Sequence, residues 1–177
     1  IIQRTGWDGI QISNARGGNK VFNNTINDYG IRNNDGQEAG IIIGSNTNAD
    51  IYNNKVTKGI GSGLQVFGYG VIKVYDNYFD STGNDGTALG LQTIYANDYI
   101  TVPEINEKQT MHVYNNFIKN PMKKGAIFIT NYQSNSNASQ VYDNKLCINN
   151  APSNWLSAYL KLYVPGTFNN NNILSCD

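Results

Sequence analysis

Short runs that alternate apolar and polar residues recur along the chain, each broken by a pair of polar residues and none long enough for a helix. The clearest is Lys73-Val74-Tyr75-Asp76-Asn77-Tyr78-Phe79. It reads outward, inward, outward, turn, Asn, outward, inward, as expected for two strands meeting at a bend. Copies begin at Lys20, Asp50, His112 and Gln140, and a worn copy begins at Thr167. The second Asn falls at positions 24, 54, 77, 116, 144 and 171, in steps of 30, 23, 39, 28 and 27. A fixed motif at irregular steps predicts one structural turn joined by loops of variable length.

No copy can bury its apolar side alone. Stacked about 4.8 Å apart, the copies would share one interior column of Val21, Ile51, Val74, Val113, Val141 and Phe168. The second Asn would then occupy the same corner of every rung. Its carboxamide would donate to one neighbour and accept from the other, forming a ladder. Each buried amide contributes about 1 kcal/mol while paired and costs roughly 1–3 kcal/mol unpaired.

A second element, Gly-apolar-x-apolar, occurs as Gly9-Ile10-Gln11-Ile12, Gly40-Ile41-Ile42-Ile43, Gly63-Leu64-Gln65-Val66 and Gly90-Leu91-Gln92-Thr93. Looser versions run over residues 125–129 and 157–162. With both elements in view, the chain resembles the right-handed parallel β-helix proteins of the broad pectate-lyase-like superfamily. The resemblance spans nearly the whole sequence. It implies an all-β solenoid of about six coils with an internal Asn ladder, and a secreted, carbohydrate-interacting role. A leucine-rich repeat also carries an Asn ladder. It fits less well, because Ile and Val dominate the motif strands and each repeat holds two strand-like elements. The paired-Asp and Gly-His-Gly signatures of polygalacturonases are missing from the sequence. So are the Arg-rich motifs of pectate lyases, since the only arginines are Arg4, Arg16 and Arg32.

Composition narrows the partners. Thirteen basic and thirteen acidic residues cancel, and only 15% of residues are charged. There is no basic run, so a general nucleic-acid binder is not expected. No apolar run approaches the roughly 20 residues of a membrane-spanning helix. The 40% apolar content in period-two patches argues against disorder despite eighteen glycines. Twelve tyrosines on a weakly charged chain suit an extracellular surface that meets sugars. The chain reads as one domain over residues 1–177, and its first residues read as the tail of an earlier coil. The expectation is therefore a piece of a longer β-helix with flanking coils or domains. Cys147 and Cys176 each follow the last apolar residue of consecutive Asn motifs. They are either free, partly buried thiols or a disulfide, and a disulfide would imply an oxidising compartment.

Candidate chemistry lies on the outward positions of the Asn-motif strand. One column reads Lys20, Asp50, Lys73, His112, Gln140, Thr167, and the other Phe22, Tyr52, Tyr75, Tyr114, Tyr142, Asn169. The aromatic column stabilises the sheet by cross-strand stacking, or it forms a platform for an extended glycan with sugar faces against the rings. In the second case Tyr52, Tyr75 and Tyr142 would bind substrate, joined by Gln65 and Gln92 from the Gly-containing strands. If the protein is an enzyme, β-elimination on a uronate polysaccharide is the expected reaction. It needs a cation on the carboxylate, a base near neutral pKa and an acid for the leaving oxygen. Lys73, His112 and Tyr114 offer these roles, with Tyr75 as an alternate acid. Hydrolysis would need two fixed carboxyls, and Asp98, Glu104 and Glu107 sit in a stretch read as a long loop over 94–109. Asp98 and Glu104 would also be the ligands of any Ca²⁺, although no spaced ligand motif supports one, so no cofactor is expected. A second long loop over 131–139 falls at the same corner one coil later, and residues 30–38 extend another corner. Asp8 and Asp85 are read as turn formers. The non-catalytic alternative is a structural or adhesin module of a cell-surface or phage protein.

Overall fold

The computed structural model of the chain describes residues 1–32, 37–83, 92–97, 108–121, 125–130, 138–149, 153–154 and 158–176. Within them the chain forms β1 (Ile2–Gln3), β2 (Ile10–Ile12), β3 (Asn19–Phe22), β4 (Thr25–Asn27), β5 (Ile41–Ile43) and β6 (Ala49–Tyr52). Next come β7 (Lys55–Thr57), β8 (Leu64–Val66), β9 (Val71–Tyr75), β10 (Tyr78–Asp80), β11 (Ile94–Asn97), β12 (Thr110–Tyr114) and β13 (Phe117–Lys119). The last coils hold β14 (Ile127–Thr130), β15 (Ser139–Tyr142), β16 (Lys145–Cys147), β17 (Leu160–Leu162), β18 (Gly166–Asn169) and β19 (Asn172–Leu174). Every third strand falls in the same sheet. Sheet A runs β1-β4-β7-β10-β13-β16-β19, sheet B β17-β14-β11-β8-β5-β2, and sheet C β18-β15-β12-β9-β6-β3. All neighbours are parallel. This is a right-handed parallel β-helix of six three-strand coils preceded by β1, the handedness that parallel crossovers adopt.

The Asn pair shapes the corner between sheets C and A. Its first member must take a left-handed backbone, and Asn23, Asn53, Asp76, Asn115, Asp143 and Asn170 all have φ between 51° and 57°. Asn and Asp tolerate that conformation best among side-chain-bearing residues, and all six copies carry one or the other there. The second member turns inward and links the rungs. The Nδ2 of Asn54 donates to Asn77 Oδ1 at 3.0 Å, Asn77 to Asn116 at 3.0 Å and Asn116 to Asn144 at 2.9 Å. Asn24 and Asn171 extend the ladder at its two ends. In every step the backbone N–H of the lower Asn donates to the same oxygen. The Asn–Asn bonds therefore all run one way, from the lower amide up to the next Oδ1, while Nδ2 of Asn54, Asn77, Asn116, Asn144 and Asn171 also donates to a carbonyl of the coil below.

The interior follows the registers expected for sheet C. Val21, Ile51, Val74, Val113 and Val141 are buried in one column, and partly buried Phe168 ends it. Sheet A adds Ile26, Val56, Phe79, Ile118 and Leu146. Glycines at the A–B corner let the chain pass close over that column. A Cβ on Gly9 would lie 2.6 Å from Ile26 Cγ2, and one on Gly63 2.6 Å from Phe79 Cδ1.

Coil 4 departs from the sequence reading. Leu64 pairs with Ile94 and Ile127 pairs with Ile94 from the other side, so the strand is Ile94–Asn97, and Gln92 and Thr93 of the Gly-containing element precede it. Thr93 takes the corner position held by Gly63 one rung below. Residues 94–97, read as the start of a long loop, are thus sheet. The rest of that loop over 98–107, most of the second loop over 131–137, and residues 33–36 lie outside the described residues.

Cys147 and Cys176 form a disulfide, with Cα atoms 5.1 Å apart and 29 residues of separation. Of the two readings open to the sequence, the bonded one holds. The bond ties the chain beyond β19 back to β16.

Candidate functional site

Sheet C is the face on which the sequence places most of the candidate chemistry, and its strands bring those residues together. His112 lies in direct register with Lys73 on one side and Gln140 on the other. Lys73 in turn pairs with Asp50, and Asp50 with Lys20. Tyr114 is two residues beyond His112 on the same outward face, in register with Tyr75 and Tyr142. Lys73 is exposed, and His112, Tyr114, Tyr52, Tyr75 and Tyr142 are half-buried.

The aromatic column is a continuous stack. Centroids are 5.1 Å apart for Phe22–Tyr52, 5.0 Å for Tyr52–Tyr75, 5.0 Å for Tyr75–Tyr114 and 4.9 Å for Tyr114–Tyr142. Their planes agree within 2–7°. Parallel rings this close must overlap face to face with an offset, because carbon contact distances are about 3.5–4.0 Å. Each inner ring therefore has both faces taken by its neighbours. What it turns to solvent is its edge and, for the four tyrosines, a hydroxyl. Sugar faces cannot lie on these rings along the column, which removes the stacking mode expected from the sequence. Among the described residues none of the four hydroxyls has a hydrogen-bond partner within the protein.

The local field sets proton positions on this face. Burial, then the Lys73 ammonium, holds His112 below its ordinary 6.5, so the imidazole is neutral at pH 7. Burial, then the Asp50 carboxylate, raises Tyr75 above 10.0. Tyr114 is raised as well, by burial first and then by Tyr142, Tyr75, Asp76 and Asp50. Both phenols thus keep their protons and present donors.

The two glutamines sit elsewhere. Gln65 is buried on the outward side of β8 in sheet B, in register with Ile42 below and Tyr95 above. Gln92 precedes β11, so it does not share a column with Gln65 or with the tyrosines of sheet C. It is buried, and its Oε1 has no hydrogen-bond partner. The residue that follows Gln65 in the column is Tyr95, stacked on Phe128 at 5.8 Å and met edge-on by Phe67 at 6.2 Å. Asn97 Nδ2 donates to Tyr95 Oη at 2.8 Å, while Asn97 Oδ1 is buried without a partner. This aromatic and amide group was missed because the Gly-x pattern of residues 90–93 is a plausible frame three residues early.

Asp8 does more than form a turn. Its Oδ1 accepts the Ala39 amide of the next coil at 2.8 Å, and its Oδ2 is buried without a partner beside Glu38. Burial pushes its carboxyl up to about 6, the Ala39 bond opposes this, and the Glu38 charge adds to it. Asp85, Asp98, Glu104 and Glu107 lie outside the described residues. Among those described, no group of three or more His, Cys, Asp or Glu side chains could hold a metal ion. No described helix is long and apolar enough to cross a membrane.

Comparison with protein-family models, with curated proteins and with solved structures returns no match. The fold and the face described above are therefore the whole basis for a functional reading.

Proposed function

We propose that this β-helix binds an extended polysaccharide lying along the outward face of sheet C. One observation carries the reading: a row of unengaged tyrosine hydroxyls, on rings whose centroids are about 5 Å apart, runs beside the polar column that contains Lys73 and His112. Such a row offers repeated donors and acceptors to a hydroxyl-rich polymer, on a scaffold that needs no reorganisation on binding. Tyr52, Tyr75, Tyr114 and Tyr142 act through their hydroxyls and ring edges, and Lys73 supplies a charge for an acidic sugar. The Cys147–Cys176 disulfide supports a secreted or cell-surface location, where such bonds persist.

The test is affinity for a panel of acidic and neutral glycans, measured for the native protein and for a Tyr75→Phe/Tyr114→Phe variant. Phenylalanine keeps the stack and deletes two hydroxyls, so binding should weaken while the unfolding midpoint stays near the native value. Equal binding by the variant, or no binding by the native protein, defeats the proposal.

A catalytic extension is favoured by one feature, the neutral His112 next to Lys73. In β-elimination Lys73 would neutralise the uronate carboxylate, His112 would take the proton α to it, and Tyr114, still protonated, would donate to the leaving oxygen, with Tyr75 as alternate. Incubation with uronate polymers should then generate unsaturated ends, read by ultraviolet absorbance. His112→Ala and Lys73→Ala should each abolish the signal, and the acid limb of the rate profile should fall below 6.5. Binding without turnover assigns the protein to the non-catalytic, adhesin-like class.

A further inference from the structure

Charge is spread unevenly along the polar column of sheet C. Lys20, Asp50 and Lys73 occupy successive rungs, positive, negative, positive. His112, Gln140 and Thr167 continue the column with no fixed charge. At the adjoining corner the exposed residues Asp76 and Asp143 add negative charge to coils 3 and 5. Rungs lie about 4.8 Å apart, close to the length of one residue in an extended glycan.

A polymer with a carboxylate on every residue fits this pattern badly. One of its charges would face Asp50, and those over coils 4 to 6 would face no cation while lying near Asp143. Like charges brought together across an interface are strongly unfavourable. A polymer with carboxylates on alternate residues keeps its charge off Asp50 and places only one, over coil 5, on the half of the column that lacks a cation. Two of its charges fall on Lys20 and Lys73, two rungs apart, and the neutral residue between them passes Asp50, which can accept its hydroxyls. Neutral residues then pass His112 and Thr167, and they suit the tyrosine hydroxyls.

Resting on the reading of sheet C as a glycan-binding face, we infer that the ligand is a linear heteroglycan whose acidic residues are separated by neutral ones, and not a homopolyuronate. Asp50 is then the specificity-determining residue, because it excludes a carboxylate from the rung between the two lysines. The neutral imidazole of His112 reinforces the pattern at pH 7, since it offers no cation on the rung after Lys73.

The experiment titrates the whole chain with three oligosaccharides of equal length: a homouronate, an alternating uronate–hexosamine chain, and a neutral β-linked glucan. The alternating chain should bind roughly tenfold more tightly than either of the others. Lys73→Ala should erase that advantage. Asp50→Asn should raise affinity for the homouronate several-fold and so narrow its gap to the alternating chain. Unfolding midpoints of both variants check that these surface changes leave the fold intact. A ranking led by the homouronate or the neutral glucan overturns the charge-spacing inference alone, as does an Asp50→Asn variant with native selectivity. Failure of all three sugars to bind overturns the glycan-face reading and this inference with it.

Discussion

Replacing Asn77 by alanine tests the ladder at its centre. The Asn77 Oδ1 is the acceptor for the Asn54 backbone N–H and for Asn54 Nδ2, both at 3.0 Å. Its Nδ2 donates to Ile51 O, Tyr75 O and Asn116 Oδ1, all at 3.0 Å. Alanine strands the buried Asn54 amide, at about 1–3 kcal/mol, and loss of the carboxamide's donated bonds adds roughly 1–2 kcal/mol. The expected cost is about 2–5 kcal/mol. Asn24 is the internal control, because its Nδ2 donates to Phe22 O and Asn54 Oδ1 while its own Oδ1 serves no rung below. Asn24→Ala should cost only about 1 kcal/mol. Asn77→Asp keeps the acceptor but turns a carboxylate toward three oxygens. The native fold should therefore favour its protonated form, and the variant should lose stability as pH rises from 4 to 7. Urea unfolding followed by circular dichroism reads all three, with the m-value checking that one transition is compared. Equal costs for Asn77→Ala and Asn24→Ala would refute the ladder as a source of stability.

Three further outcomes follow from the geometry. The Asp8 carboxyl sits near 6 in the fold against 3.8 unperturbed, so folding favours its protonated form. Its contribution is fully present below pH 3.8 and is lost as pH rises through about 6. Discounted for its partial exposure, the loss is roughly 1 kcal/mol, and Asp8→Asn should remove it from the pH profile of the unfolding midpoint. An unchanged profile would contradict the buried placement of Oδ2. Reducing the disulfide, which closes 29 residues, should destabilise the last coil by about 2–4 kcal/mol. Hydrogen exchange should show protection lost in β17–β19 and retained in β6–β13, and uniform loss would count against local tethering. Gly40→Ala places a Cβ against Val56 Cγ1 and 2.8 Å from Gly63 O, which should cost about 1–3 kcal/mol in the same urea assay. A neutral result would mean that the corner has room the structure does not show.

The coil architecture was legible because its signals are local. An Asn or Asp that must adopt positive φ, an Asn that must be buried, and two alternating strands around them leave few folds open. The outward columns followed from the same alternation, and this is why Lys73, His112 and Tyr114 were placed together correctly. Coil 4 was misread because local pattern allows two frames there. Leu91/Thr93 and Ile94/Ala96 both alternate, and the choice belongs to the rungs on either side, where Ile94 fits between Leu64 and Ile127. Gln92 left the candidate column for that reason, and Tyr95 entered it.

By itself the sequence determined the repeat, the residues that face inward and the chemistry displayed on each outward strand, since period-two alternation and backbone preference act over a few neighbouring residues. Tertiary structure decided which way the tyrosine rings turn their faces, that Cys147 meets Cys176, and that Asp8 lies beside Glu38 of the next coil. Those outcomes depend on the distance and offset between rungs 23 to 39 residues apart. No local pattern carries that information; it arises only when one coil packs on another.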